Sequence, residues 1–298
     1  MPRELIPKLT HSEILSYEEI LRVVRVGATL GISKVRVTGG EPLVRKGVYH
    51  FLSQLTKMEG LEDISLTTNG VLLKDNISKI RSANINRINI SLDTLNKTKF
   101  KHITGCDCFD QVWEGILLAQ KMGFYPIKIN VVPLDGINDD ELVDIAELSI
   151  KYPFHIRFIE YMPMGSTQIS NDRHLLAPEI KERINGLGKL IPVDRSFNDG
   201  PAERFKFESA QGEIGFIRPI SRHFCGTCNR LRLTASGQLR PCLMSDEKED
   251  LKSLLRQGGS DDELAKGFLN SVRHKPSEHR LIDDDHARIS AQMCAIGG

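Results

Sequence analysis

The sequence predicts an α/β protein: a partial (β/α) barrel with a β-rich C-terminal extension and terminal helices. Three observations carry that expectation. Between residues 16 and 160 amphipathic helical stretches alternate with short β-branched strands, the order that builds right-handed crossovers and a parallel sheet. Each strand is apolar on one face only. Four strands end in polar or turn-rich segments, TGGEP (38–42), TTNG (67–70), SLDT (91–94) and FIEYMPMG (158–165), where barrel enzymes keep their chemistry. Any one such segment reads first as ordinary turn chemistry; four in succession weaken that reading and favour a site.

Ser16 and Glu19 form a capping-box pattern opening a helix that carries Ile20, Leu21, Val24 and Ala28 on its apolar side. The remaining elements up to 160 are a strand at 34–38, a helix near 48–58, a strand at 63–67, a helix near 74–82 and a strand at 87–92. A helix near 110–122, a strand at 127–132, a helix at 140–150 and a strand at 154–160 complete the series. Val35 and Val37 alternate with Lys34, Arg36 and Thr38, and Ile127, Ile129 and Val131 with Lys128 and Asn130. Strands covered by helices on both faces would be apolar on both, and a closed eight-stranded barrel fills its interior with branched apolar side chains. The pattern therefore favours a curved, incomplete barrel with helices outside and a wet, cationic interior. After residue 165 the alternation stops: a short helix near 177–185, strands within 204–219 and 230–235, and helices near 247–257 and 261–273 follow. The expected division is a barrel core over 1–165 and an extension over 166–298.

At 298 residues and 40% hydrophobic composition the chain can bury a large core. Forty Lys and Arg against 39 Asp and Glu leave a net charge of +1, which points to no nucleic-acid partner and makes any basic site local. MPRELIPKLTHSEIL lacks a signal-peptide pattern, and no run approaches a membrane span. A cytoplasmic location without membrane attachment is expected, with the six cysteines read as thiols or metal ligands rather than disulfides.

Three of those cysteines, Cys225, Cys228 and Cys242, are spaced C-x2-C-x13-C. Zinc is the commoner centre for C-x2-C, and His223 could complete four ligands. A [4Fe–4S] cluster with three protein thiolates, leaving one iron open to a ligand, is the alternative. Arg230 and Arg232 follow directly on one strand face and suit phosphate oxygens. With Arg36, Lys128 and Arg157 they could converge on a polyphosphate, although each alone reads as a surface ion-pair residue. Arg36 and Lys128 resist that reading, because an unpaired cation on an inner face is costly without an anion. Gly39, Gly40 and Glu41 offer a flexible backbone and a carboxylate at a strand end.

VRVTGGEPLVR, LTTNG, INISLDTL, KINVV, IRFIEYMP and HFCGTCNRLRLTASG, in this order and with a C-terminal Gly-Gly, closely resemble the MoaA family of radical S-adenosylmethionine (SAM) GTP 3′,8-cyclases of molybdenum-cofactor biosynthesis. The resemblance covers almost the whole chain. It implies a radical-SAM type partial barrel in which Cys225, Cys228 and Cys242 hold an auxiliary [4Fe–4S] cluster that binds the guanine of GTP. Arg36, Thr67, Lys128, Arg230 and Arg232 match GTP contacts, with Arg157 as a further basic contact. Gly40, Ser91 and Met162 match S-adenosylmethionine contacts beside the GGEP backbone of Gly39 and Glu41; Gly297 and Gly298 match an active-site tail. The implied reaction joins ribose C3′ to guanine C8, and the implied partners are GTP and a downstream molybdopterin-precursor synthase, with room for a homodimer. The family also carries C-x3-C-x2-C after its first strand, absent here, and its last cysteine is typically followed by Met-Pro, as in Met1-Pro2. The expectation is that the chain starts inside the intact protein, holds five of six barrel strands and lacks the second [4Fe–4S] cluster that cleaves S-adenosylmethionine. Two rival readings stand beside it: a non-catalytic GTP-binding [4Fe–4S] protein, and a zinc-stabilised (β/α) protein.

Overall fold

Helix α1 (Tyr17–Thr29) starts at the expected capping box: Glu19 N donates to Ser16 Oγ at 3.1 Å and Ser16 N to Glu19 Oε2 at 2.7 Å. This pairing satisfies two amides that the helix leaves open. The computed structural model describes residues 9–163, 174–194, 199–222, 224–278 and Ile296. Strand β1 (Lys34–Val37), helix α2 (Val48–Leu55), β2 (Asp63–Thr68), α3 (Leu73–Ser82) and β3 (Arg87–Ser91) follow as expected. Two helices, α4 (Lys97–Thr104) and α5 (Phe109–Lys121), then precede β4 (Ile127–Val131), where the sequence suggested one. Helix α4 buries only Phe100 and so has no apolar stripe. Its signals were its ends, Asn96 accepting from Thr98 N and Lys99 N, and left-handed Gly105.

Cys106 and Cys108, in the turn between α4 and α5, form a disulfide with a Cα separation of 5.5 Å, within the span a disulfide needs. This corrects the expectation that all six cysteines are thiols or ligands. The turn after Gly105 brings the pair together, which composition could not reveal.

The chain continues through α6 (Leu142–Lys151), β5 (Phe154–Ile159), α7 (Ala177–Ile184), β6 (Leu190–Pro192), β7 (Glu203–Phe207) and β8 (Glu213–Ile217). Strands β1 to β5 and β8 are parallel neighbours in that order, and β7 and β6 extend the sheet antiparallel. Strand β8 is thus a sixth parallel strand, in register Ile156↔Ile214 with β5. One face carries Leu66, Ile88, Ile90, Ile129, Ile156 and Phe216, all buried in a core shared with α2, α3, α5 and α6.

The C-terminal part adds β9 (Arg232–Leu233), β10 (Gln238–Arg240), β11 (Glu249–Asp250), α8 (Leu251–Arg256) and α9 (Asp261–Arg273). Its own core joins Leu239, Leu251, Leu264 and Phe268 to Val23 and Val26 of α1. Arg22 of α1 also pairs with Asp261 at 2.8 Å. No helix among the described residues is long and apolar enough to cross a membrane.

Candidate functional site

The second face of the parallel sheet is polar and cationic because the period of two sends every other side chain there. Register sets the cations in rows: Arg36 opposite Ser65 and, through it, Arg87; Thr67 opposite Asn89, Lys128 and His155; Ser91 opposite Asn130 and Arg157. Some of this charge is neutralised locally. Asp63 pairs with Lys34 at 2.6 Å and Arg87 at 2.7 Å, and Arg204 grips Glu213 with two bonds of 2.7 Å. Burial pushes His155 down to about 4 despite Glu213 beside it, so the ring is neutral at neutral pH.

Arg36, Lys128 and Arg157 form no salt bridge with a carboxylate among the described residues. Burial, then the charges of Arg157, Arg87, Lys34 and Arg36, push Lys128 down to about 6. Burial and Arg36 likewise lower Arg157, and burial and Arg230 lower Arg36; both guanidiniums stay charged. Arg157 is only 7% exposed. Arg36 is open to solvent yet surrounded by protein, as expected of a side chain in a concave bay. Ser65 Oγ, Asn130 Oδ1 and His155 Nε2 on this face have no hydrogen-bond partner among the described residues. Crowded cations beside unsatisfied polar atoms give this face the chemistry to accept an anion.

The cysteine segment adjoins this bay. Cys225 opens a single 3-10 turn, Cys225–Thr227, closed by Cys228 N donating to Cys225 O at 3.0 Å. Cys242 Sγ accepts from Met244 N at 3.4 Å, and all three thiols are free and half-buried. Burial alone would raise the Cys228 thiol, but the Arg230 amide and guanidinium and the Lys275 ammonium outweigh it and hold it below its usual range. Arg232 senses burial, then Arg230 and Arg36, and in the opposite sense Cys242 and Cys228. One field therefore runs from the thiols through Arg232, Arg230 and Arg36 to Arg157 and Lys128.

Among the described residues no three Cys, His, Asp or Glu side chains surround a single ion position. Cys225, Cys228 and Cys242 are free thiols in a cationic setting, a donor set whose chemistry suits an anionic iron–sulfur cluster as well as zinc. His223, the proposed fourth zinc ligand, lies outside the described residues, as do Gly297 and Gly298.

Gly39 and Gly40 follow β1, Ser91 ends β3 and Met162 follows β5, all at the carboxyl edge of the sheet. Glu41 turns its carboxylate into this edge, accepting from Leu43 N at 3.0 Å, Thr68 Oγ1 at 2.9 Å and Asn69 N at 2.7 Å. Thr67 accepts from Asn89 Nδ2 at 3.4 Å.

Sequence reasoning missed Lys275. Its ammonium donates to Arg230 O at 2.7 Å and Pro241 O at 2.6 Å, stapling the two cysteine-bearing segments. A lone lysine just past a terminal helix gives no local signal of such a role.

Residues 3–149 match the radical SAM superfamily and residues 154–281 match Molybdenum Cofactor Synthesis C. A GTP 3′,8-cyclase of Thermodesulfovibrio yellowstonii is 47% identical over 300 residues, covering 100% of this chain and 92% of the relative. One of Moorella thermoacetica is 45% identical over 298 residues with the same coverage. Among solved structures, Streptococcus suis SuiB bound to S-adenosylmethionine superposes with a TM-score of 0.58 at 12% identity, over 89% of this chain and 62% of that one, a likeness of fold. Identity of this order along the whole chain, with the two matched regions in sequence, makes the chain a member of the GTP 3′,8-cyclase family within the radical SAM superfamily.

Proposed function

We propose that this chain is a GTP 3′,8-cyclase that binds the guanine of GTP at the three-thiol site and its triphosphate on the cationic face. The observation that carries the reading is the set Arg36, Lys128 and Arg157, buried or enclosed and without a carboxylate salt bridge among the described residues, joined through Arg230 and Arg232 to Cys228 and Cys242. Cys225, Cys228 and Cys242 would hold the auxiliary [4Fe–4S] cluster, and three protein thiolates leave one position free for an atom of the base. Thr67 lies on the same face as the cations and adds a hydroxyl for the nucleotide. Gly39, Gly40, Ser91 and Met162 line the S-adenosylmethionine edge, where Glu41 acts by bracing the β1 and β2 turns.

S-adenosylmethionine and the [4Fe–4S] cluster that cleaves it, for which this chain carries no C-x3-C-x2-C ligand set, would supply the radical chemistry that joins ribose C3′ to guanine C8. The protein holds the nucleotide across the bay so that both atoms stay aligned, and the cations neutralise phosphate charge. In this division of labour residues 1–165 supply the S-adenosylmethionine edge and phosphate cations, and 166–298 supply the thiols and the Gly297–Gly298 tail. A cytoplasmic setting, a downstream molybdopterin-precursor synthase and room for a homodimer belong to the same reading.

The test is a GTP titration of the anaerobically reconstituted chain with and without iron. GTP should bind only the iron-loaded form, ATP should fail to compete, and Arg157→Ala should weaken GTP about tenfold or more, as loss of a charge-assisted contact implies. Colourless protein holding zinc and no iron, or equal binding of ATP, would overturn the reading.

A further inference from the structure

Glu160, the residue after β5, is only 1% exposed and has no cation partner among the salt bridges of the described residues. Its Oε1 accepts from Ala177 N at 3.0 Å and Ser221 Oγ at 2.5 Å; Oε2 accepts from Ile220 N at 3.0 Å and Ser221 N at 2.9 Å. Its own amide donates to Ile217 O at 3.1 Å, prolonging the β5–β8 ladder. One buried carboxylate thus gathers the end of β5, the first residue of α7 and the turn leaving β8. A buried carboxylate satisfied by four donors is costly to disturb, since removing it strands those donors.

The turn it holds leads directly into the cysteine segment: Cys225 stands four residues beyond Ser221. The other side of that turn is held less deeply, by Arg218 and Arg222 on Glu203 at 3.2 and 3.0 Å. We propose that Glu160 is a positioning residue for the Cys225–Cys228 segment, fixing where the auxiliary site sits against the sheet edge that carries Met162. This rests on the function proposed above for its meaning, though not for its test. Glutamine in its place would turn an amide N–H towards one pair of donors and release the turn, leaving the sheet pairing of β5 and β8 intact.

The experiment compares wild type, Glu160→Gln, Ser221→Ala and Glu203→Gln as full chains. In the iron-free state, alkylation followed by mass spectrometry should show Cys225 and Cys228 of Glu160→Gln reacting several-fold faster relative to Cys242, whose segment Glu160 does not hydrogen-bond. After reconstitution the same variant should lose iron to a ferrous chelator about tenfold faster, with an altered electron paramagnetic resonance signal. Its far-ultraviolet circular dichroism should match wild type, and Glu203→Gln should behave as wild type throughout. Ser221→Ala, which removes one hydroxyl, should give a smaller change in the same direction and carries the test if Glu160→Gln does not fold. Wild-type alkylation ratios in a folded Glu160→Gln, or in Ser221→Ala if that variant must stand in, would overturn the proposal. Failure of wild type to take up iron would count against the proposed function instead, because the alkylation ratios still decide this inference.

Discussion

On the proposed function, Lys128 carries part of the triphosphate site in one side chain. Held down to about 6 from an ordinary 10.5, it is mostly neutral at neutral pH in the free protein, and an arriving triphosphate favours its charged form. GTP binding near pH 7.5 should therefore take up about one proton, measurable by calorimetry in buffers of different ionisation enthalpy, and affinity should fall as pH rises above 6. The stability sign follows from the same shift. A lysine depressed in the folded state destabilises it fully below pH 6, and the penalty fades as pH rises towards 10.5. Lys128→Met should accordingly raise the melting temperature of the free protein, most at acid pH, while weakening GTP binding about tenfold or more, a trade of stability against function. A lower melting temperature at pH 6 would contradict this account.

At the level of elements, the turn from β2 to α3 shows how packing and hydrogen bonding tie the carboxyl edge together. Gly70 has φ +81°, and a Cβ there would lie 2.8 Å from Val112 Cγ1 on α5. Its neighbour Asn69 donates its amide to Glu41 at 2.7 Å, so the turn is tied to the GGEP segment. Gly70→Ala combines left-handed strain of about 1–3 kcal/mol with overpacking of about 1–3 kcal/mol, and denaturant unfolding should show the sum. The strict helix–strand alternation and the Ser16–Glu19 box were legible because each is a local pattern. Helix α4 was not, since its single buried residue, Phe100, leaves no periodic apolar signal.

Across the whole molecule, two cores hold the two halves of the site together. The larger backs the sheet, and the smaller docks α8, α9 and β10 onto α1 through Phe268, Leu264 and Val26. Phe268 is 6% exposed and lies against Gly27, where a Cβ would come within 3.3 Å of its ring. Phe268→Ala should cost about 3–5 kcal/mol. Because α9 leads to the Lys275 staple, the same change should speed iron loss from the three-thiol site, read by chelator kinetics. Unchanged unfolding and iron retention would show that the smaller core does not support the site.

The sequence by itself determined the strand faces, with Arg36 and Lys128 inward by parity, and the spacing of Cys225, Cys228 and Cys242, because periodicity and spacing are properties of neighbouring residues. Only the tertiary structure decided how the cations are paired: among the described residues Asp63 forms salt bridges with Lys34 and Arg87 but reaches Arg36 only through its charge, a matter of register between strands. It also decided that β8 joins β5 as a sixth parallel strand, and that Glu160 and Lys275 anchor the thiol segments from 61 and 34 residues away. Contacts over such separations leave no mark in any local window, since they exist only once the sheet has closed the distance.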